Sequence, residues 1–514
     1  MHAPLPLTLL LALAAAAAAL PAERDAAPDP APTPISVPLQ RRQQPRDLAW
    51  IARQRDIMYQ KYGKPDAAHG PYTFDERRSL AKRQNAISLV NSQADSSYLG
   101  TIQIGTPAQT FTISLDTGSS DLWVVSSTCG ASCDTTTTFN EQASSTFQRA
   151  SDTTPVDLQY GSGEASGPVV RDTVTFAGYS VDPQIFIDVT SLGSGLTSDT
   201  SVSGLIGLGW PALSASESTP FVNALVNANK LPSPEMAFFL SRYVDDPNAQ
   251  STEPGGYFTL GGTNTSLYTG NIEFHNIQQI QGQNAYWTLG MNSLKVNGAS
   301  LALGTQDSAI IDTGTSLMGG PQALVDSIFA SIPGSAPGTD QLEGLYTYPC
   351  SPTVTISVNF GGQDWQISSD DFQIGQTSRT TCVGALMAVD LGQGAPSWIL
   401  GDTFLKNVYA VFNYSPAQVG FAQLSSTAID MNPEGEQGAS PSGAVATATN
   451  SISVIGTPVG QPSRTSAGGL PWFTSSGGSG SGSGQSSGAA SNSPAALLGL
   501  GSAVLCVLAG AALL

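Results

Sequence analysis

Two short segments of this 514-residue chain nearly repeat each other. The first is Ile113-Ser-Leu-Asp116-Thr-Gly-Ser-Ser, and the second, 196 positions later, is Ala309-Ile-Ile-Asp312-Thr-Gly-Thr-Ser. Each apolar run predicts a buried strand, and the glycine after it permits a sharp turn. Two carboxyl groups presented at such strand ends and brought together at a pseudo-twofold axis would share a proton, because adjacent like charges cannot both ionise. Two unrelated Asp-Gly turns, the alternative, would not share five aligned features.

The charge is divided unevenly along the chain. The net charge is −19, yet 12 of the 20 Lys and Arg residues lie in residues 1–83. The remainder carries 8 basic and 31 acidic residues, for a net charge of −23. So acidic a surface excludes nucleic acid as a partner, since nucleic-acid binding needs cations to neutralise phosphates. It approaches neutrality only in acid, which favours an acidic working environment.

Histidine is too scarce for several common catalytic chemistries. The chain has three histidines, and only His275 lies after residue 83. A Ser-His or Cys-His hydrolase would rest on that one residue, and a His-rich zinc site could not be built. We therefore expect a structural role for His275 and a protein without metal or cofactor.

Four cysteines of the central region fall into two pairs. Cys129 and Cys133 would close a short loop, and Cys350 and Cys382 a longer one. A zinc site of four cysteines is the alternative, but the second pair lacks the usual C-x2-C spacing. The sequence therefore favours two disulfides formed in an oxidising compartment.

The first part of the chain has the composition of processed segments. Residues 1–22 contain an apolar Leu/Ala-rich run and end in small residues, which predicts a signal peptide. Residues 23–83 carry a net charge of +4 and end in the dibasic pair Lys82-Arg83, a processing site. We interpret 23–83 as a propeptide held on the acidic body by charge, an attraction that weakens as carboxylates are protonated. A disordered basic linker is the alternative.

The central region predicts a duplicated, mostly β fold. Short runs rich in Val, Ile, Thr, Phe and Tyr alternate with Gly, Asn, Asp and Ser. A second repeated element, Gly204–Gly209 and Trp398–Asp402, supplies each half with an apolar run that includes glycine. Each half therefore has one strand bearing the aspartate and one supporting strand. We assign residues 84–270 to an N-terminal lobe and residues 271–428 to a C-terminal lobe.

The last part of the chain predicts a stalk and an anchor. Residues 429–493 are rich in Ser, Gly and Thr and cannot bury enough apolar surface to fold. Residues 494–514 are almost wholly apolar and, with the small residues and polar spacer before them, predict a GPI-attachment signal. A transmembrane helix is the alternative, against which the glycines and missing flanking charges count. Asn264 and Asn413 lie in N-x-Ser sequons and are candidate glycosylation sites.

Several motifs between residues 95 and 425 are specific as a set. They are Tyr98-Leu-Gly-Thr-Ile-Gln-Ile-Gly-Thr-Pro107, Asp116-Thr-Gly-Ser-Ser-Asp-Leu-Trp-Val124, Tyr160-Gly-Ser-Gly163, Asp312-Thr-Gly-Thr-Ser316 and Trp398-Ile-Leu-Gly-Asp-Thr-Phe404. With them the sequence resembles a pepsin-family aspartic protease of the secreted, GPI-anchored type found in fungi. The resemblance implies two pseudo-twofold-related β-barrel-like lobes with the active-site cleft between them.

The resemblance also implies roles for individual residues. Asp116 and Asp312 correspond to the catalytic pair, Ser119 and Thr315 to the donors that bind their outer oxygens, and Gly118 and Gly314 to the inner backbone positions. Tyr160, Gly161 and Ser162 correspond to a mobile flap, whose tyrosine hydroxyl Trp123 would orient. Some fungal relatives have an acidic residue where this chain has Ser162, so a preference for basic residues at the cleavage site is without support.

These features together predict an aspartic endopeptidase. It would hydrolyse proteins at acidic pH, be made as a secreted monomeric zymogen inhibited by its own propeptide, and be held by a GPI lipid anchor at the plasma membrane or cell wall. The alternative is a non-catalytic pepsin-like protein for cell-wall binding or adhesion. Retention of both aspartates and of Tyr160 favours the enzyme.

Overall fold

The alternating apolar runs form strands, as the sequence predicts. The computed structural model describes residues 35–45, 47–63, 93–130, 133, 137–151, 154–160, 163–193, 202–243, 252–392 and 395–432. All of them lie in the first of two compact units, Met1–Ala467; the second is Gly468–Leu514. The predicted signal peptide, the dibasic pair Lys82-Arg83 and the anchor signal lie outside the described residues.

Strands account for most of the regular structure. In the first half they are β1 (Ile35–Pro45), β2 (Gln93–Ile104), β3 (Gln109–Asp116), β4 (Leu122–Val125), β5 (Gln148–Arg149), β6 (Val156–Tyr160), β7 (Gly163–Gly167), β8 (Val169–Phe176), β9 (Tyr179–Val189), β10 (Ser191–Leu192), β11 (Gly204–Gly207), β12 (Glu235–Leu240) and β13 (Thr252–Leu260). In the second half they are β14 (Tyr268–Asn276), β15 (Thr288–Gly290), β16 (Ser293–Val296), β17 (Ala299–Leu301), β18 (Ser308–Ile311), β19 (Met318–Gly320), β20 (Ala336–Pro337), β21 (Tyr346–Pro349), β22 (Ile356–Asn359), β23 (Asp364–Ile367), β24 (Gln373–Ser378), β25 (Thr381–Gly384), β26 (Leu386–Ala388), β27 (Trp398–Leu400), β28 (Tyr409–Tyr414) and β29 (Ala417–Leu424).

The helices are few and short. They are α1 (Leu48–Tyr62), α2 (Phe221–Asn227), α3 (Gln322–Ala330), α4 (Ser369–Phe372), α5 (Asp402–Leu405) and α6 (Ser426–Ile429). In α1, Asp47 caps the N-terminus by accepting a hydrogen bond from the Trp50 N–H at 2.7 Å. The buried residues of α1 recur at helical spacing, so one face packs on the body.

The two halves repeat one arrangement of three strands. In the first half, β11 pairs parallel with β3 and antiparallel with β4. In the second half, β27 pairs parallel with β18 and antiparallel with β19. The strand that leads to each aspartate therefore lies beside an apolar supporting strand, as predicted from the sequence. This repetition and the strand content confirm the mostly β, two-lobed fold.

One sheet of 13 strands joins the halves. Its order is β14-β29-β28-β12-β13-β1-β2-β3-β11-β4-β9-β8-β5, so β1 lies between β13 and β2. Smaller sheets complete the lobes: β10-β7-β6, β15-β18-β27-β19-β26, β17-β16-β22-β23 and β20-β21-β25-β24. Because β12 pairs with β28, strands from both halves belong to one continuous sheet.

Within the described part of the chain, no helix has both the length and the apolar character needed to cross a membrane.

Aromatic side chains fill the junction between the halves. Trp287 is fully buried, and its ring lies 4.8 Å from that of Trp210 and 4.9 Å from that of Tyr414. The Trp287 indole and the Tyr414 hydroxyl both donate to the Leu208 carbonyl, at 3.1 and 2.9 Å. Burial of each such ring stabilises the fold by about 1.5–3 kcal/mol. The strands that position the two aspartates are thus supported by this packed aromatic junction.

Both predicted disulfides are present. Cys129 bonds to Cys133 and Cys350 to Cys382, with Cα–Cα distances of 5.7 and 5.1 Å. The first closes a loop beside the hydrophobic cluster under the β6–β7 hairpin. The second ties β25 to the segment after β21.

A buried carboxyl group makes the stability of the first lobe depend on pH. Asp188 is 3% exposed; one oxygen accepts from Ser126 Oγ at 3.0 Å, and the other has no hydrogen-bond partner among the described residues. Burial, with a smaller contribution from the charge of Glu141, raises the pKa of Asp188 to about 6 against the opposing Ser126 hydrogen bond and Arg149 charge. The folded state therefore keeps a proton that the unfolded state loses from about pH 4 upward.

Stability is accordingly expected to fall by about 3 kcal/mol as pH rises from 4 to above 6. Asp188→Asn removes the ionisation and should flatten that part of the profile of urea unfolding midpoint against pH. An unchanged slope in the variant would assign the dependence to other groups.

Candidate active site

The two aspartates are held by matching turns. Asp116 is the last residue of β3, and Asp312 directly follows β18; both are buried, at 2% and 0% exposure. The threonine after each aspartate reaches across to the other turn: the Thr117 N–H donates to Thr313 Oγ1 at 3.1 Å, and the Thr313 N–H to Thr117 Oγ1 at 2.9 Å. Each hydroxyl also donates to a carbonyl of the opposite strand, at 3.0 and 2.9 Å. The two turns are therefore locked together.

The oxygens of each carboxyl group have distinct partners. In Asp116, Oδ1 accepts from the Gly118 N–H at 2.8 Å and Oδ2 from Ser119 Oγ at 2.7 Å. In Asp312, Oδ1 accepts from the Gly314 N–H at 2.9 Å and Oδ2 from Thr315 Oγ1 at 2.5 Å. The four supporting residues that the resemblance implies thus contact the aspartates in the expected pairs.

The two glycines permit the close approach of the carboxyl groups. A Cβ on Gly118 would lie 2.6 Å from Oδ1 of Asp312, and one on Gly314 would lie 2.1 Å from Oδ1 of Asp116. Any other residue would overlap the opposite carboxyl group. Glycine at these positions therefore lets each turn lie directly against the carboxyl group of the other.

A lysine and a tyrosine from α1 occupy this site. Lys61 Nζ lies 2.8 Å from Asp312 Oδ2 and 3.2 Å from Asp116 Oδ1. The Tyr62 hydroxyl donates to Asp312 Oδ2 at 2.5 Å. Sequence analysis did not identify either residue. The available signal was the excess of basic residues in segment 23–83, which indicates an attraction to the body but not which side chain reaches the carboxyl pair.

The electrostatics of the pair are asymmetric. Burial raises the pKa of Asp116, and the charge of Asp312 adds to this against the opposing charge of Lys61. Burial also raises the pKa of Asp312, but the Lys61 charge and hydrogen bonds from Lys61, Thr315 and Tyr62 outweigh it, so the pKa of Asp312 lies below its ordinary value. The two carboxyl groups form one titrating unit in which Asp116 holds the proton more tightly.

The predicted flap is a hairpin of β6 and β7. Tyr160 ends β6 and pairs with Gly163, while Gly161 and Ser162 lie outside the described residues. The rings of Tyr160 and Trp123 are 6.2 Å apart and tilted by 44°. Burial raises the pKa of Tyr160, and the charges of Asp121 and Asp116 act in the same direction. Tyr160 therefore packs on Trp123 within electrostatic reach of Asp116.

Three further predicted residues lie on the surface of the body. Asn264 is half-buried in a loop and accepts hydrogen bonds from Ser266, and Asn413 is half-buried within β28. His275 pairs with Glu273 at 2.8 Å on β14, in agreement with a structural role.

The fold and the carboxyl pair define a class of protein: an aspartic hydrolase whose two lobes each supply one acid. Comparison with known proteins gives the family. Residues 97–424 match the family model described as eukaryotic aspartyl protease, and the chain belongs to that family. It is an aspartic endopeptidase.

Several relatives share most of their length with this chain. Major aspartyl peptidase 1 of Cryptococcus neoformans is 38% identical over 414 residues, covering 75% of this chain and 84% of the relative. An aspartic protease of Phaffia rhodozyma is 36% identical over 76% of this chain and 91% of its own length. Cathepsin D of Bos taurus is 33% identical over 70% of this chain and 93% of its own length.

Proposed function

We propose that this chain is an acid-activated zymogen whose mature form hydrolyses peptide bonds in proteins with Asp116 and Asp312. The observation that carries the catalytic roles is the pair of buried carboxyl groups, each with one oxygen facing the glycine of the opposite turn. In the mature enzyme the ionised member takes a proton from water, and the protonated member polarises the scissile carbonyl. The proton then passes to the leaving nitrogen, so that no acyl-enzyme forms.

Tyr160 is proposed to close over the substrate. It ends a strand of a Gly-containing hairpin and packs beside Trp123, so it can move with the hairpin and exclude water when substrate binds. We propose that Gly161 and Ser162 contact the substrate backbone and that Trp123 limits the positions of the tyrosine ring.

The contact of Lys61 supports inhibition by the propeptide 23–83. A cation on both carboxyl groups occupies the place where the water and the scissile bond must lie. Because the pKa of Asp116 is raised, Asp116 is the first of the pair to lose its charge as pH falls. One of the two charges that hold Lys61 then disappears, which favours release in acid. Cleavage after Lys82-Arg83 would make the release permanent.

Secretion and surface display are proposed from the sequence. The signal-like residues 1–22, the stalk 429–493 and the apolar segment 494–514 support export followed by GPI anchoring at the plasma membrane or cell wall. Asn264 and Asn413 are proposed to carry glycans in this compartment, since both side chains are partly exposed. The proposed mature enzyme acts as a monomer on protein substrates.

The proposed function is tested with an unfolded protein as substrate. The precursor is converted in acid, and its products are sequenced after incubation at pH 3–7 with a chelator present. Internal cleavage that is strongest in acid supports the proposal. Binding of the substrate without new termini at any pH would contradict it.

A substitution at Lys61 should make the precursor easier to activate. Lys61→Met leaves two buried carboxyl groups without their cation, so their pKa values rise and they are protonated at higher pH. Conversion is expected to be at least tenfold faster at a pH where the parent precursor is stable. Loss of a contact that contributes about 1.4 kcal/mol is enough to shift the equilibrium between the inhibited and the open precursor tenfold. The measurement is the rate at which mature protein appears on a gel.

The control for this experiment is Arg379→Gln, which removes a cation from an exposed position of the body. It should convert at the parent rate. Equal conversion rates for Lys61→Met and the parent would show that the contact does not restrain the precursor.

A further inference from the structure

A second cation of α1 occupies a separate binding site on the C-terminal lobe. Arg55 is 7% exposed, although its chain position places it in a segment proposed to leave. Its Nη1 donates to the carbonyl oxygens of Gln341 and Glu343, at 2.9 and 2.8 Å. The other edge of the guanidinium, Nε and Nη2, donates to Asp56 of the same helix at 3.0 and 2.8 Å.

The site belongs to a turn that is shaped for an incoming chain. Gln341 lies in the 3-10 turn Asp340–Leu342, and Glu343 follows it. The ends of such turns leave carbonyl oxygens that their own N–H groups do not use. Next to them, Gly344 has a φ of +86°, and a Cβ there would lie 1.9 Å from the Tyr59 hydroxyl. The turn therefore provides two acceptors for a cation and a glycine surface on which a neighbouring side chain rests.

One helix contacts both this turn and the carboxyl pair, so a substrate that follows the path of α1 can reach both. Arg55 precedes Lys61 by six residues of helix, a rise of about 9 Å at about 1.5 Å per residue. An extended peptide covers that distance in about three residues at about 3.3 Å each. The two side chains project from different sides of α1, so their contacts are further apart than this rise, and a substrate that spans the cleft would bring a side chain to this turn within about four positions of its scissile bond.

We propose that, once α1 has left, the carbonyl oxygens of Gln341 and Glu343 bind an arginine side chain of the substrate, so that the mature enzyme favours arginine at one position within about four residues of the cleaved bond. The inference rests on the proposed function, because it requires removal of α1. Carbonyl oxygens accept hydrogen bonds at every pH, so this recognition would persist in acid, where carboxylates lose their charge. Lysine would bind less well, since its single ammonium lacks the planar fork that matches two adjacent acceptors.

The test is a series of matched peptides cleaved by the mature enzyme. One arginine is moved through every position from four before to four after a fixed scissile bond, and each peptide has counterparts with lysine and norleucine at that position. We expect kcat/KM for arginine to exceed that for norleucine at least tenfold at one of these positions, with lysine between them. Equal values for arginine and norleucine at all positions would overturn the inference.

Two controls separate site binding from general attraction and from failure of catalysis. A similar arginine advantage at every position, abolished by 0.5 M salt, would assign the effect to the acidic surface and overturn the inference. Binding of the same peptides to mature Asp312→Asn is measured by fluorescence, and the arginine peptide should bind at least fivefold more tightly. If no peptide is cleaved but this binding difference is found, the proposed function fails and the arginine site stands.

Discussion

Replacing Asp312 by asparagine is expected to lower kcat by about 10³–10⁴ with little change in KM, because one member of the acid–base pair is lost. The asparagine keeps the size of the side chain; its carbonyl oxygen can still accept from the Gly314 N–H, and its amide N–H can donate to Thr315 Oγ1. It cannot take a proton from water or share one with Asp116. The measurement is the initial rate of peptide cleavage by mature protein, freed of residues 23–83 by an added protease because the variant is not expected to process itself.

The control for this loss is Asp430→Asn, which neutralises a carboxylate on the surface beyond α6. Its kcat should match that of the parent. The folded state of Asp312→Asn should be at least as stable as the mature parent in thermal unfolding, since the like-charge repulsion within the buried pair is relieved. Parent-like cleavage by Asp312→Asn would remove the aspartate pair from the mechanism, and an inactive parent would favour a role in binding or adhesion.

The carboxyl pair could be predicted from the sequence because its determinants are local. Each copy contains the strand, the aspartate, the turn glycine and the hydroxyl residue within eight positions, and duplication of the segment marks the pseudo-symmetry. The supporting strands could be predicted for the same reason. A threonine follows the aspartate in both repeated segments, at positions 117 and 313. The hydrogen bonds between these two threonines become evident only when the two turns are placed side by side.

The contacts of α1 could not be predicted in the same way. Lys61 meets Asp312 across 251 positions of sequence, and its partners depend on how the helix packs against both lobes. Periodicity and charge indicate that a basic segment will associate with an acidic body, but they do not set the register of a helix in a cleft. The hydrogen bonds of Arg55 to backbone carbonyls carry no sequence signal at all, because any residues can supply those oxygens.

A buried ionic cluster in the second lobe was also beyond prediction from the sequence. Asp371 lies in α4 and is fully enclosed, with Lys406 Nζ 2.7 Å from Oδ1 and the Arg242 guanidinium and Asn407 amide on Oδ2. Arg242 follows β12, whereas Lys406 follows α5, so the cluster joins the shared sheet to the second lobe. The Asp402 and Thr403 N–H groups of α5 donate to the carbonyls of Thr315 and Ser316. The turn that bears Asp312 is thereby tied to the cluster.

Asp371→Asn is expected to lower the free energy of unfolding by about 3–5 kcal/mol, because two buried cations lose the carboxylate they share. Urea unfolding of the mature form on an Asp312→Asn background, which prevents self-digestion, measures the loss. Asp364→Asn is the matched control: that carboxylate pairs with Lys295 at the surface, where an ion pair contributes about 0–1 kcal/mol. Losses of equal size in the two variants would contradict the assignment.

The difference between the two variants should persist in acid. Burial raises the pKa of Asp371, but the charges of Arg242 and Lys406 outweigh it and lower the pKa to about 2. A carboxyl group whose folded-state pKa is depressed stabilises the fold above its ordinary value near 4 and loses that contribution as pH falls toward 2. At pH 4 the buried cluster is therefore still ionised. The lobe that carries Asp312 should therefore keep the Asp371 ionic cluster at the acidity proposed for release of Lys61. Asp371→Asn should remain less stable than Asp364→Asn at that pH.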